Sequence, residues 1–168
     1  MPGDTSFVFS ILEDAASADT ALRELVANAW AAGETGDSFL LAFGNTPMIQ
    51  PDEHHIILGA YDGKLLIGML TLLPDNPATQ SGRAQIARLI TRTKYRRKGV
   101  ASTLIQLAEK LASKNGSKIL TLETAVGNHA ASLYKKSGFK IQSIEPGFAS
   151  LPDGSITDTV IYWKRIGE

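Results

Sequence analysis

The chain has 168 residues, 43% of them hydrophobic and 20% charged, an ordinary globular composition with enough length to bury a sizeable core. Its 17 basic and 17 acidic residues cancel, so the molecule as a whole has no electrostatic pull toward nucleic acid or an anionic membrane, and any anion site must be local. The absence of cysteine excludes disulfides, thiolate catalysis and cysteine zinc sites, and three scattered histidines, His54, His55 and His129, make a poor metal set.

Residues 1–10 lack a basic segment followed by an apolar core, and no apolar run approaches the ~20 residues that span a bilayer. The expectation is a cytoplasmic protein of one domain, residues 1–168, with no membrane partner. Phe7–Leu12 reads as a strand, and Leu22, Leu25, Val26 and Trp30 recur at helical spacing over Ala18–Ala32, with Asp19 or Thr20 as cap. Gly33–Pro51 is irregular, carries Glu34 and Asp37, and reads as a substrate-facing loop. Ile56–Tyr61 and Lys64–Leu73 flank Asp62-Gly63, a strong hairpin signal, and should pair antiparallel. After a Pro- and Gly-containing loop comes the strand Gln85–Arg92.

The most informative stretch follows. Arg96-x-x-Gly99-x-Ala101 puts small residues where backbone N–H groups must approach a ligand closely, at the N-terminus of a helix whose dipole favours negative charge. That pattern suits a diphosphate, with Arg96, Arg97 and Lys98 adding charge and Gly99, Val100, Ala101 and Ser102 supplying N–H donors. Leu104, Leu107, Ala108 and Leu111 form the apolar stripe of that helix, and Asn115-Gly116 ends it. Ile119–Thr124 reads as a buried parallel strand interrupted by Glu123. A short helix over Asn128–Lys136, capped by Asn128 and stopped by Gly138, precedes strands Phe139–Ile144 and Thr157–Arg165, with Pro146–Gly154 as their link. Strand, helix, strand order in this half argues for a βαβ unit in an α/β sheet.

With Leu89-Ile90-Thr91 on a strand, the Arg96-x-x-Gly99-x-Ala101 loop, and the run from Asn128 to Phe139, the chain resembles the GCN5-related N-acetyltransferase superfamily, closely over residues 85–140 and loosely to the C-terminus. Arg97 departs from the pattern, standing where Gly is common. The resemblance implies an α/β fold with a mixed, mostly antiparallel central sheet of about seven strands and helices on both faces. It also implies a V-shaped splay between the fourth and fifth strands. Acetyl-CoA would bind there, its diphosphate on residues 96–102 and its pantetheine arm along Leu89, Ile90 and Thr91, with Asn128 and Ala131 contacting the arm.

Tyr134 matches the position whose phenol protonates the departing coenzyme A thiolate, and a phenol of pKa near ~10 is suited to that. Glu123 is the candidate base for the acceptor amine, or only its binding partner. A closer similarity, to the tabtoxin-resistance type, rests on Leu122-Glu123-Thr124, Tyr134 and the run from Pro146 to Gly154. It implies a small amino-acid-like amine as acceptor, with Glu123 where that type has Asp. Glu34, Asp37, Glu123 and Phe148 are the expected acceptor contacts. The reading implies no metal and no nucleic-acid partner, and it leaves monomer or homodimer open. Its rivals are a non-catalytic acetyl-CoA sensor, a protein or peptide amine acetyltransferase, and, from the basic residues Arg88, Arg92, Lys94, Arg96, Arg97 and Lys98, a nucleic-acid binder.

Overall fold

Seven strands form one sheet in the order β1-β2-β3-β4-β5-β7-β6, in a computed structural model that describes residues 6–31, 55–74, 82–127, 130–150 and 155–167. The strands are β1 (Val8–Leu12), β2 (Ile56–Asp62), β3 (Leu65–Pro74), β4 (Arg83–Thr91), β5 (Ile119–Ala125), β6 (Lys140–Ser150) and β7 (Ile156–Arg165). Every pairing is antiparallel except β4 with β5. The helices are α1 (Ala15–Ala31), α2 (Val100–Lys114) and α3 (Ala131–Lys136). The expected mixed, mostly antiparallel sheet and the Asp62-Gly63 hairpin are both present; Gly63 takes φ 58, which its missing Cβ allows.

Two apolar clusters lie on opposite faces of the sheet. On one, Ala18, Leu22, Leu25 and Val26 of α1 close over Ile57, Met69 and Ile90. On the other, Val100, Leu104, Ile105 and Ala108 of α2 close over Leu58, Leu70, Leu72, Ile86, Leu120 and Leu122. Leu104 has no exposed surface, and burying a leucine in this way is worth roughly 1.5–3 kcal/mol. Helix α2 comes so close to β3 that a Cβ on Gly68 would meet Val100 Cγ1 at 2.8 Å and the Ile90 carbonyl at 3.3 Å. Among the described residues no helix is long and apolar enough to cross a membrane.

Three boundaries differ from the sequence reading. Helix α1 begins earlier, because Asp14 rather than Asp19 or Thr20 caps it: Asp14 Oδ1 accepts from the Ala16 N–H at 3.2 Å, and Ser17 Oγ donates to Asp14 Oδ2. These bonds, the one from Ser17 foremost, hold the Asp14 carboxyl below its ordinary value. Asp19 instead pairs with Arg23 at 3.0 Å, and the Thr20 hydroxyl donates back to the Ala16 carbonyl. Helix α3 starts at Ala131, while Asn128 lies outside the described residues. Strand β6 runs on through Pro146 and Gly147 instead of ending in a loop. A register shift between Glu145 and Ala149 absorbs the proline, and the Gly147 N–H turns to Asp158 Oδ1 at 2.9 Å.

Replacing Gly68 by alanine should cost about 1–3 kcal/mol, because the close approach of α2 to β3 leaves no room for the methyl group. Urea unfolding of the variant checks this; an unchanged midpoint would mean that Val100 moves aside freely.

Candidate active site

Between the pairs Met69↔Ile90 and Thr71↔Ala87, β3 advances two residues while β4 advances three. The extra residue is a bulge in β4, where Arg88 takes φ 53. It shifts the side-chain alternation by one: Ala84 and Ile86 face α2, and beyond the bulge Leu89 faces α2 while Ile90 faces α1. The parallel pairing of β4 with β5 runs only from Arg83↔Ile119 to Ile86↔Leu122. Both strands continue past it, β4 to Thr91 and β5 to Ala125, without pairing with each other. A bulged strand bends and twists more strongly, and here it leaves its parallel neighbour, opening a cleft edged by the backbone of residues 87–91. Leu89, Ile90 and Thr91 lie along that edge; Ile90 and Thr91 are buried and Leu89 is half-buried.

The cleft leads to the loop before α2. A single 3-10 turn, Thr93–Tyr95, is followed by Arg97 at φ 61 and Gly99 at φ 80, two left-handed residues in four. Gly99 is the residue before α2, among the described residues no side chain caps the helix, and the Thr103 N–H donates to the Gly99 carbonyl at 3.0 Å. The first-turn donors of Val100, Ala101 and Ser102 are thus available to an anion, next to the left-handed Arg97 and Gly99. A Cβ on Gly99 would meet nothing within 4 Å, so glycine is needed there for its φ and not for space. Arg97 and Lys98 are exposed, whereas Arg96 turns its Nε to the Thr91 carbonyl at 3.3 Å. The chain therefore offers an anion donors, positive charge and an open approach, a fit to the diphosphate implied by the resemblance.

Tyr134 is 6% exposed, and its ring packs against Phe139 and Tyr162, with centroids 6.4 and 5.4 Å away, within the cluster that α2 covers. Glu123 alternates with the buried Leu122 and Thr124 along β5, and its cross-strand partner is Ile161. Its side chain therefore stands on the opposite face of the sheet, the face that α1 covers further along. It is exposed, and among the described residues no side chain hydrogen-bonds or ion-pairs with its carboxylate. Tyr134 and Glu123 thus approach the end of the β4–β5 pairing from opposite faces.

Of the other expected residues, Ala131 is exposed in the first turn of α3. Glu34, Asp37 and Asn128 lie outside the described residues, as does the side chain of Phe148, whose backbone belongs to β6. The sequence reading missed the residues that hold the loop in place. Asn28 Oδ1 of α1 accepts from the Thr93 N–H at 3.1 Å, and Arg92 donates from Nε and Nη2 to the Leu66 carbonyl at 3.2 and 3.1 Å. A polar Asn28 one turn beyond the apolar Leu25 was the available signal.

Residues 19–139 match the model of a family described as the acetyltransferase (GNAT) family. Streptothricin acetyltransferase of Escherichia coli is 32% identical over 114 residues, 67% of this chain and 63% of that protein. The uncharacterized N-acetyltransferase YvbK of Bacillus subtilis is 34% identical over 92 residues, 53% of this chain and 56% of that protein. The chain thus spans less than two thirds of the length of these curated relatives. In fold, the crystal structure of the ribosomal-protein-S18-alanine N-acetyltransferase from Escherichia coli superimposes with a TM-score of 0.70 at 18% identity, covering 97% of this chain and 96% of that one.

The left-handed Arg97 carries a conformational cost of roughly 1–2 kcal/mol that glycine escapes. Arg97→Gly should therefore raise stability by about 0.5–1 kcal/mol, net of the chain entropy glycine loses on folding, whereas Arg97→Ala should not. Denaturant midpoints of the two variants, with unchanged m, provide the check.

Proposed function

The chain belongs to the acetyltransferase (GNAT) family; from that premise we propose that it is an acyltransferase that acetylates the primary amine of a small, amino-acid-like or antibiotic-like molecule from acetyl-CoA, by direct attack in a ternary complex. The observation that carries the reading is the continuity of the β4–β5 cleft with the left-handed, uncapped loop at the start of α2. Bound there, acetyl-CoA supplies the activated acetyl thioester. Similarity to streptothricin acetyltransferase supports an antibiotic-like acceptor.

In this reading Arg97, Lys98 and the N–H groups of residues 99–102 hold the diphosphate, with Arg96 bracing the loop against Thr91. Along Leu89–Thr91 the side of β4 that does not pair with β5 offers its remaining backbone groups, the Thr91 carbonyl being held by Arg96, to the amides of the pantetheine arm as a neighbouring strand would, and one N–H at the cleft can polarise the acetyl carbonyl. Ala131, in the first turn of α3, and Asn128 would contact the same arm. Holding both reactants in the cleft removes much of the entropic barrier to attack.

Tyr134, packed on the α2 face, holds a phenolic proton for the departing thiolate. Glu123, exposed on the other face, takes the proton of an ammonium acceptor, directly or through water, or fixes the cation while solvent takes the proton. Glu34, Asp37 and Phe148 would complete the acceptor pocket, whose acidic residues suit a cation.

Thiol release from acetyl-CoA across a panel of small amines tests the reading. Tyr134→Phe keeps the ring packing and should lower kcat about 10²- to 10⁴-fold, with acetyl-CoA affinity unchanged. If Glu123 is the base, the loss in Glu123→Gln should shrink as pH rises toward the amine pKa near ~10; if it only binds, KM for the amine should rise at every pH. Acetyl-CoA binding without release by any amine, or turnover only of peptide N-termini, would sink the small-molecule reading.

A further inference from the structure

Tyr95 closes the 3-10 turn immediately before the left-handed loop, and its side chain is engaged on three sides. Its hydroxyl donates to Asp62 Oδ2 at 2.7 Å, the last residue of β2 at the hairpin. The Phe7 ring meets it edge to face, with centroids 5.8 Å apart and planes at 72°. The Lys98 ammonium lies over it, 5.6 Å from the ring centroid. Asn28 and Arg92 hold the entry of the turn, through Thr93 and Leu66, while Tyr95 holds its exit.

The residues that follow need such a hold. Arg97 is left-handed without being glycine, a conformation that persists only when its surroundings over-determine it. The loop lies between α2, packed on the sheet, and a turn referenced through Asp62 to the rigid β2–β3 hairpin. The same ring that ties down the turn also seats the side chain of Lys98, the residue between Arg97 and Gly99.

We propose that Tyr95, tethered to Asp62, is a positioning residue for diphosphate capture, fixing the turn that presents Arg97, Lys98 and Gly99 to the anion. The inference rests on the acetyl-CoA reading above. Tyr95 acts through the loop and does not touch the reacting atoms. The bond to Asp62, first among the causes, holds the phenol above its ordinary value, so the donor proton stays in place at neutral pH.

Two acetyl donors separate positioning from general support: acetyl-CoA, and S-acetylpantetheine, which has the arm and the thioester but no diphosphate. Titrated into the full chain, acetyl-CoA should bind Tyr95→Phe and Asp62→Ala about fivefold more weakly, the scale of one lost hydrogen bond, while S-acetylpantetheine binds as to the wild type. Asp62→Asn still offers an acceptor oxygen and should recover most of the affinity. If Asp62→Ala fails to fold, Tyr95→Phe, which keeps the ring contacts, carries the test. Unchanged acetyl-CoA affinity in Tyr95→Phe, or equal weakening of both donors, overturns the inference. Failure of the wild type itself to bind acetyl-CoA overturns the acetyl-CoA reading and this inference with it.

Discussion

One extra residue in β4 decides what this sheet can do. Had β3 and β4 stayed in register, β4 would have continued beside β5, with the backbone groups of residues 87–91 paired on both sides. The bulge at Arg88 turns the strand instead, and pairing with β5 stops at Ile86↔Leu122. The cost is local: a left-handed arginine and lost ladder bonds between two strands. It is sustained because β3 still pairs with β4 on both sides of the bulge, and because Ile86 and Ile90 are anchored in the two apolar clusters on opposite faces. The strain sits where an extended ligand can replace the missing strand.

The candidate anion site solves a different problem, that of creating positive potential in a chain without net charge. It does so with geometry. An uncapped helix start, two left-handed residues and the exposed Arg97 and Lys98 concentrate donors and charge within a few residues, next to the open edge of β4. Helix α2 is held tightly enough against β3 for Gly68 to tolerate no side chain, so its N-terminus is a fixed platform. The cleft and the loop are thus two consequences of one arrangement: β4 ends at the splay and the chain re-enters the fold through α2.

Much of this was legible in the sequence, for physical reasons. Period-two and helical apolar patterns marked the strands and α2, Asp62-Gly63 marked the hairpin, and Gly99 marked the start of α2. The bulge was not legible, because an arginine at φ 53 leaves no signature in composition or periodicity; only the resemblance pointed to a splay. The true cap of α1 was overlooked although Asp14 three residues before Ser17 is a reasonable capping pattern, since the first apolar repeat begins later. Pro146-Gly147 looked like a chain break, but an edge strand has no second neighbour to lose and a bulge absorbs the proline. For the site, the alternation around Glu123 puts its side chain on the face opposite Tyr134, a relation that follows from period two but needs the pairing of Tyr162 with Leu122 to be seen.

The central claim is that, among the described residues, β4 beyond Ile86 pairs with no strand on the side of β5. Amide hydrogen exchange, resolved by residue with and without coenzyme A, tests it most directly. The account predicts that, in the free protein, amides among residues 87–91 that do not bond to β3 exchange much faster than those of residues 83–86, and become protected on binding, together with the N–H groups of residues 99–102. Protection of the whole of β4 in the free protein, or no change on binding, would contradict it.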